Sequence, residues 1–132
     1  MTMTDPIADL LTRIRNALQA QHTSVDVTWS TIHERMVEIL KAEGYIDGFA
    51  RVQDGSKTYL RVQLKYGARN ARVISDIKRV SSPGRRVYVG ADEIPLIQGG
   101  LGVVIMTTPR GVMTGRDAKK LGVGGEILCY IS

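Results

Sequence analysis

The residues with the most chemical capacity stand close together near the end of the chain, between Thr107 and Ser132. Thr107, Thr108 and Thr114 carry hydroxyls that both donate and accept hydrogen bonds. Arg110 carries a planar, permanently charged fork that suits a phosphate. Gly111, Gly124 and Gly125 have no side chain, so a partner can approach their backbone closely. Glu126 adds a carboxylate. Phosphate repels a carboxylate, so in a nucleic-acid site Glu126 needs a base amino or imino donor; elsewhere it is a strand-end acid paired with Arg or Lys. Both readings stand at this point. Short donors and acceptors on a rigid turn suit A-form RNA, whose major groove is too deep and narrow for side chains. Proteins use its minor groove, 2′-hydroxyls, phosphates and distorted bases instead.

A second group lies upstream. Strand alternation over Arg85 to Val89 puts Arg86 and Tyr88 on one face and Val87 and Val89 on the other. A lone tyrosine there is ordinarily a core residue with a satisfied hydroxyl. Beside arginines it also fits a surface on which unpaired bases stack.

Other chemistries find little support. No glycine-rich turn leads into Gly-Lys-Ser/Thr, and no G-x-G-x-x-G occurs, so neither a phosphate loop nor a dinucleotide fingerprint is present. His22 and His33 are the only histidines and have no cysteine near them, which argues against zinc. Neither sits near a nucleophile motif, and no carboxylate pair marks a cleft. The sequence therefore leads us to expect no catalytic or metal-ligating residues, no cofactor and no small-molecule substrate. Cys129 is the only cysteine, so no intrachain disulfide forms, which fits a reducing compartment. It alternates with apolar residues, as a small core residue does. No apolar run approaches the roughly 18 residues of a membrane span, and Met1 to Pro6 lacks the pattern of a signal peptide.

The chain has 132 residues, 43% hydrophobic and 23% charged, with a formal net charge of +5. The charge is unevenly placed. Residues 1–66 hold 8 Lys/Arg and 8 Asp/Glu, whereas 67–132 hold 10 and 5. An anionic partner is therefore expected at the second half.

The elements that position these residues can be read in order. Asp5 is a good N-cap and Pro6 a good first helical residue. Ile7, Leu10, Leu11, Ile14 and Leu18 form one apolar stripe, leaving Thr12, Arg13, Arg15 and Asn16 away from its centre. A strand is expected over Val25 to Trp29. Thr31 with Glu34 has the capping-box pattern, and Ile32, Met36, Ile39 and Leu40 give a second helix its stripe, ended by Gly44. Strands follow over Tyr45 to Val52 and Thr58 to Tyr66, joined at Asp54-Gly55, with Leu60, Val62 and Leu64 on one face. The join between halves is expected over Gly67 to Ala71, dividing an N-terminal α/β domain, 1–66, from a β-rich domain, 67–132. At this size each half gains from packing on the other. Ile77 to Val80 and Arg85 to Val89 read as strands around a Ser81 to Gly84 turn, and Asp92 to Ile97 as a helical turn. Gly99, Gly100 and Gly102 lead into a buried strand from Val103 to Met106, followed by a polar turn. Thr114 with Asp117 caps a short helix, Gly122 ends it, and Ile127 to Ser132 forms a last strand with Ile127, Cys129 and Ile131 on one face. The two turns flanking this unit are expected side by side. The fold class is α+β: an α-β-α-β-β half and a mostly β half with short helices.

Three blocks of this sequence resemble the bacterial small-subunit ribosomal protein family number eight. They are Asp5-Pro6-Ile7-Ala8-Asp9 with Leu11 to Asn16; Arg79-Val80-Ser81, Pro83-Gly84 and Arg86-Val87-Tyr88; and the long run from Gly111 to Ile131. The resemblance implies a non-enzymatic, cytoplasmic constituent of the small subunit. Such a protein binds the central domain of 16S ribosomal RNA, helps organise the platform and touches neighbouring ribosomal proteins. It implies RNA contacts at Arg86, Tyr88, Thr107, Thr108, Arg110, Gly111, Thr114, Gly124, Gly125 and Glu126, and on the first helix at Arg13, Arg15 and Asn16. The alternative is a free RNA- or DNA-binding regulator, such as a repressor of its own operon. Departures from the family pattern fall at Thr107-Thr108-Pro109, where Ser-Thr-Ser is usual, and at Thr28-Trp29-Ser30-Thr31, where Pro-Ser-Ser-Lys is usual. Gly90 replaces a cation and Gly115 an aspartate.

Overall fold

The computed structural model describes residues 5–70, 73–96, 99 and 102–132, and the side chain of Asn70 is left aside. The readings that involve Met1 to Thr4, Ala71, Ile97 and Gly100 lie outside the described residues. The chain divides into two compact units, Asp9–Ile74 and a second formed by 5–8 with Ser75–Ser132.

The first unit takes its helices from the apolar spacing. Helix α1, Pro6–Gln19, begins where the Ala8 N–H donates to Asp5 Oδ1 at 3.1 Å, the expected cap. Its buried residues are Leu10, Leu11, Ile14, Ala17 and Leu18. Strand β1 is Ser24–Thr28, and helix α2 is Thr31–Ala42. Two expectations for α2 are corrected. Its cap is Ser30, one residue earlier than expected, with Oγ accepting from the His33 N–H at 3.0 Å. Glu34 does not complete a capping box, because Arg51 grips its carboxylate at 2.8–3.0 Å and the Trp29 indole donates to it at 3.1 Å. The buried stripe is His33, Met36, Val37 and Leu40, leaving Ile32 41% exposed. His33 fits in this stripe because its Nδ1 lies 2.7 Å from the Thr28 carbonyl oxygen.

Strands β2, Ile46–Asp54, and β3, Lys57–Leu64, form a hairpin with Gly55 at φ +63°, and β3 is the centre of the antiparallel order β1-β3-β2. Leu60, Val62 and Leu64 point into the core as expected, while Arg61 on the other face pairs with Asp26 across the strands at 2.9 Å.

The second unit is one antiparallel sheet of β4, Ile77–Arg79; β5, Tyr88–Val89; β6, Val103–Thr108; β7, Gly111–Thr114; and β8, Gly125–Ile131, with α3, Gly115–Leu121, packed against it. The order is β4-β8-β6-β7, and β5 also pairs with β8. Asp5 belongs here, ion-paired at 3.1 Å with Arg79, whose Nη1 donates to the Leu128 carbonyl at 2.6 Å. The expected helical turn at Asp92 is a single 3₁₀ turn, Ala91–Glu93, after which Ile94 is extended.

Three further corrections concern this unit. Strand β7 was not expected: Gly111–Thr114 folds back on β6 as a hairpin arm before the helix starts. The strand expected over Arg85 to Val89 joins the sheet only at Tyr88 and Val89, while Arg85 makes an isolated bridge back to Ser82. The faces of β8 also differ. Met106 pairs with Ile127 and Ile105 with Cys129, so Leu128 is the extra residue of a bulge. The bulge moves Ile127 to the opposite face from Cys129, where it joins Val104, Met106 and Ala118 under α3.

Candidate nucleic-acid interface

The bulge also sets the register at the end of the sheet where the polar residues collect. Glu126 on β8 pairs with Thr107 on β6 and, on its other side, with Tyr88 on β5. Directly paired residues share a face. Tyr88, Glu126 and Thr107 therefore form a row across three strands, and Thr108, Pro109 and Gly124-Gly125 enclose its end. Between them lies an open depression of about 420 Å³, with Val89 also in its wall. The two turns expected to be neighbours are neighbours.

Each residue in the row is held differently. Tyr88 is 68% exposed, so it is not the core tyrosine that remained open from sequence. Its segment is fastened from beneath. The buried Ser81 hydroxyl accepts from the Val87 N–H at 2.8 Å, and the Ile127 N–H donates to the Val87 carbonyl at 3.0 Å. These bonds replace the ladder of a longer strand. Glu126 is 7% exposed and accepts from Arg86 Nη1 at 3.0 Å through Oε2. The hydrogen bond and charge of Glu126 raise the Arg86 pKa further. Thr107 is half-buried, and its hydroxyl has no hydrogen-bond partner among the described residues.

The turn beyond Thr107 is built around its proline. Thr108 Oγ1 accepts from the Arg110 N–H at 3.0 Å and donates to the Gly111 carbonyl at 2.9 Å, closing a two-residue loop of Pro109 and Arg110. Proline pre-sets the first loop position, where no N–H is needed. Gly111 follows at φ +113°, outside the range comfortable for other residues. The Arg110 side chain is exposed and forms no ion pair among the described residues. Arg85 is likewise exposed without an ion pair among the described residues.

Two glycines have a tighter reason than ligand approach. A Cβ on Gly125 would run into the Thr107 carbonyl oxygen, and one on Gly124 into the Val89 carbonyl oxygen. Their first role is to let three strand ends converge. Thr114 stands apart from the row. It is 5% exposed and caps α3, with Oγ1 accepting from the Asp117 N–H at 3.1 Å, while Gly122 closes the helix at φ +70°. Arg13, Arg15 and Asn16 lie on α1 in the other unit. Arg13 is bound to Asp9 at 2.9 Å, Arg15 is half-buried and Asn16 is exposed.

Fold and site thus define an α+β protein whose polar chemistry lies on an open strand-end surface, fixed by backbone pairing. The model of the family described as Ribosomal protein S8 matches residues 5–132. A protein of Acidobacterium capsulatum called small ribosomal subunit protein uS8 is 56% identical over 131 residues, covering 99% of each chain. The protein of the same name from Koribacter versatilis is 54% identical over 97% of this chain and 96% of its own, and that from Solibacter usitatus is 56% identical over 96% and 97%. The chain belongs to the ribosomal protein S8 family, a family of structural proteins of the small ribosomal subunit and not an enzyme family.

Proposed function

We propose that this protein binds the central domain of 16S ribosomal RNA through the strand-end face of residues 67–132, as a non-catalytic constituent of the cytoplasmic small subunit that helps form the platform and meets neighbouring ribosomal proteins. The observation that carries the reading is Tyr88. A large aromatic ring stands mostly in solvent on a segment held by buried hydrogen bonds, beside a depression lined by Val89, Thr107, Thr108, Pro109 and Gly124 to Glu126. Such a ring offers a base a stacking platform without an ordering cost.

The other residues take complementary roles. Thr107 offers a hydroxyl to a 2′-OH or base edge, and Arg110, without an ion pair among the described residues, offers its guanidinium to a phosphate. Thr108, Gly111, Gly124 and Gly125 shape the cradle. Glu126 aims Arg86 beside Tyr88, and Thr114 acts through the helix cap. Arg13, Arg15 and Asn16 form a second, separate contact on α1, in the domain formed by 1–66. A free regulator would use the same face, but the family is one of ribosomal constituents.

Binding of a 16S central-domain helix measured against salt tests the phosphate contact. Arg110→Ala should reduce the slope of log K against log salt by about 0.7–0.9, the loss of one released counterion. An unchanged slope places that phosphate contact elsewhere.

A further inference from the structure

We infer that the opposite end of the same sheet is a docking groove for an acidic protein segment that carries a large apolar side chain. The groove holds about 290 Å³ and lies between α3, the first residues of β6 and the extended segment after the 3₁₀ turn. Its floor is aliphatic: Ile94, Leu96 and Val104 face it with no aromatic ring. Leu96 is 74% exposed and adds apolar surface beside Ile94 and Val104. Gly115 lets α3 seat closely on this floor, because a Cβ there would stand 2.8 Å from Ile94 Cγ2 and 3.2 Å from Val104 Cβ. Every charged side chain among the described lining residues is cationic: Arg116, Lys119 and Lys120, all on α3. Neither Lys119 nor Lys120 forms an ion pair among the described residues.

The occupant follows from this chemistry. The aliphatic floor offers no ring for a base to stack on, which disfavours RNA. A bare anion would gain nothing from a buried leucine. A segment with one Leu or Phe for the floor and carboxylates for the rim satisfies both parts. The groove begins at Val103 and the strand-end face at Thr107, separated by about 13 Å along β6. One molecule can therefore hold RNA and a protein segment together, and the inference does not depend on the RNA reading.

The test uses the full chain and a fluorescein-labelled peptide with the core Glu-Glu-Leu-Phe-Glu-Glu. Its controls carry Gln for Glu or Ala for Leu and Phe. Anisotropy should show saturable binding of the acidic apolar peptide, and both controls should bind at least about tenfold more weakly. Lys119→Glu with Lys120→Glu should weaken it about tenfold or more, and Leu96→Ser about fivefold. These sites are exposed, so the fold should survive, and RNA binding by the uncharged variant Leu96→Ser should stay within about twofold. Amide shifts on peptide addition should map to residues 94–96, 103–104 and 115–120. Equal binding of the controls, insensitivity to the substitutions, or shifts in that region produced by RNA instead of peptide would each overturn the inference. A wild-type chain that binds the peptide but no 16S central-domain RNA would count against the RNA reading alone.

Discussion

Arg86 and Glu126, both expected at an RNA surface, are bonded to each other. Sequence alone left Glu126 open between a protein and a base partner because the choice depends on which strand lies beside β8. Nothing local reveals that. The glycines were legible as glycines but not in their cause. Gly125→Ala should destabilise the unit by about 1–3 kcal/mol through the clash with the Thr107 carbonyl, as overpacking does. Urea denaturation would measure this, and wild-type stability would mean the strand ends move apart readily. Cys129 was correctly legible as core. Burial pushes its thiol up to about 12 from 9.0. The folded pKa exceeds the unfolded one, so this thiol's contribution is complete below about pH 9 and is lost as pH rises from 9 towards 12. Native protein at pH 8 should resist iodoacetamide, and Cys129→Ala should lose less stability than wild type between those pH values. Rapid native alkylation would contradict the burial.

At the scale of elements, composition and period revealed helices more reliably than faces. The α1 stripe and cap followed directly from Asp5, Pro6 and the apolar spacing. For α2 the capping-box pattern pointed to Thr31, whereas the hydroxyl one residue earlier, on Ser30, is the one that accepts from the His33 N–H. The β8 bulge had no signal at all, since Ile127, Leu128 and Cys129 are all apolar and all buried. The β7 arm was missed because Gly111–Thr114 is short and continues directly into the helix cap. That cap makes Thr114 a positioning residue. Thr114→Ala should cost about 1 kcal/mol of stability, whereas Thr114→Ser should cost less because it keeps the capping oxygen. If Thr114→Ala instead weakened RNA binding and left the melting curve unchanged, Thr114 would be a direct contact.

For the molecule as a whole, the uneven charge was the most general signal, with the excess of cations confined to 67–132. Charge did not show how the cations divide: Arg79 and Arg86 are occupied by carboxylates, and Arg110 stands without an ion pair among the described residues. The direct measurement is the affinity of the purified chain for a 16S central-domain helix at fixed salt, comparing wild type, Tyr88→Phe and Tyr88→Ala, with far-UV circular dichroism to establish that all three fold. Loss of one stacked base costs roughly 1–3 kcal/mol, so Tyr88→Ala should bind about 5- to 150-fold more weakly and Tyr88→Phe close to wild type. Equal affinity for wild type and a folded Tyr88→Ala would contradict the account.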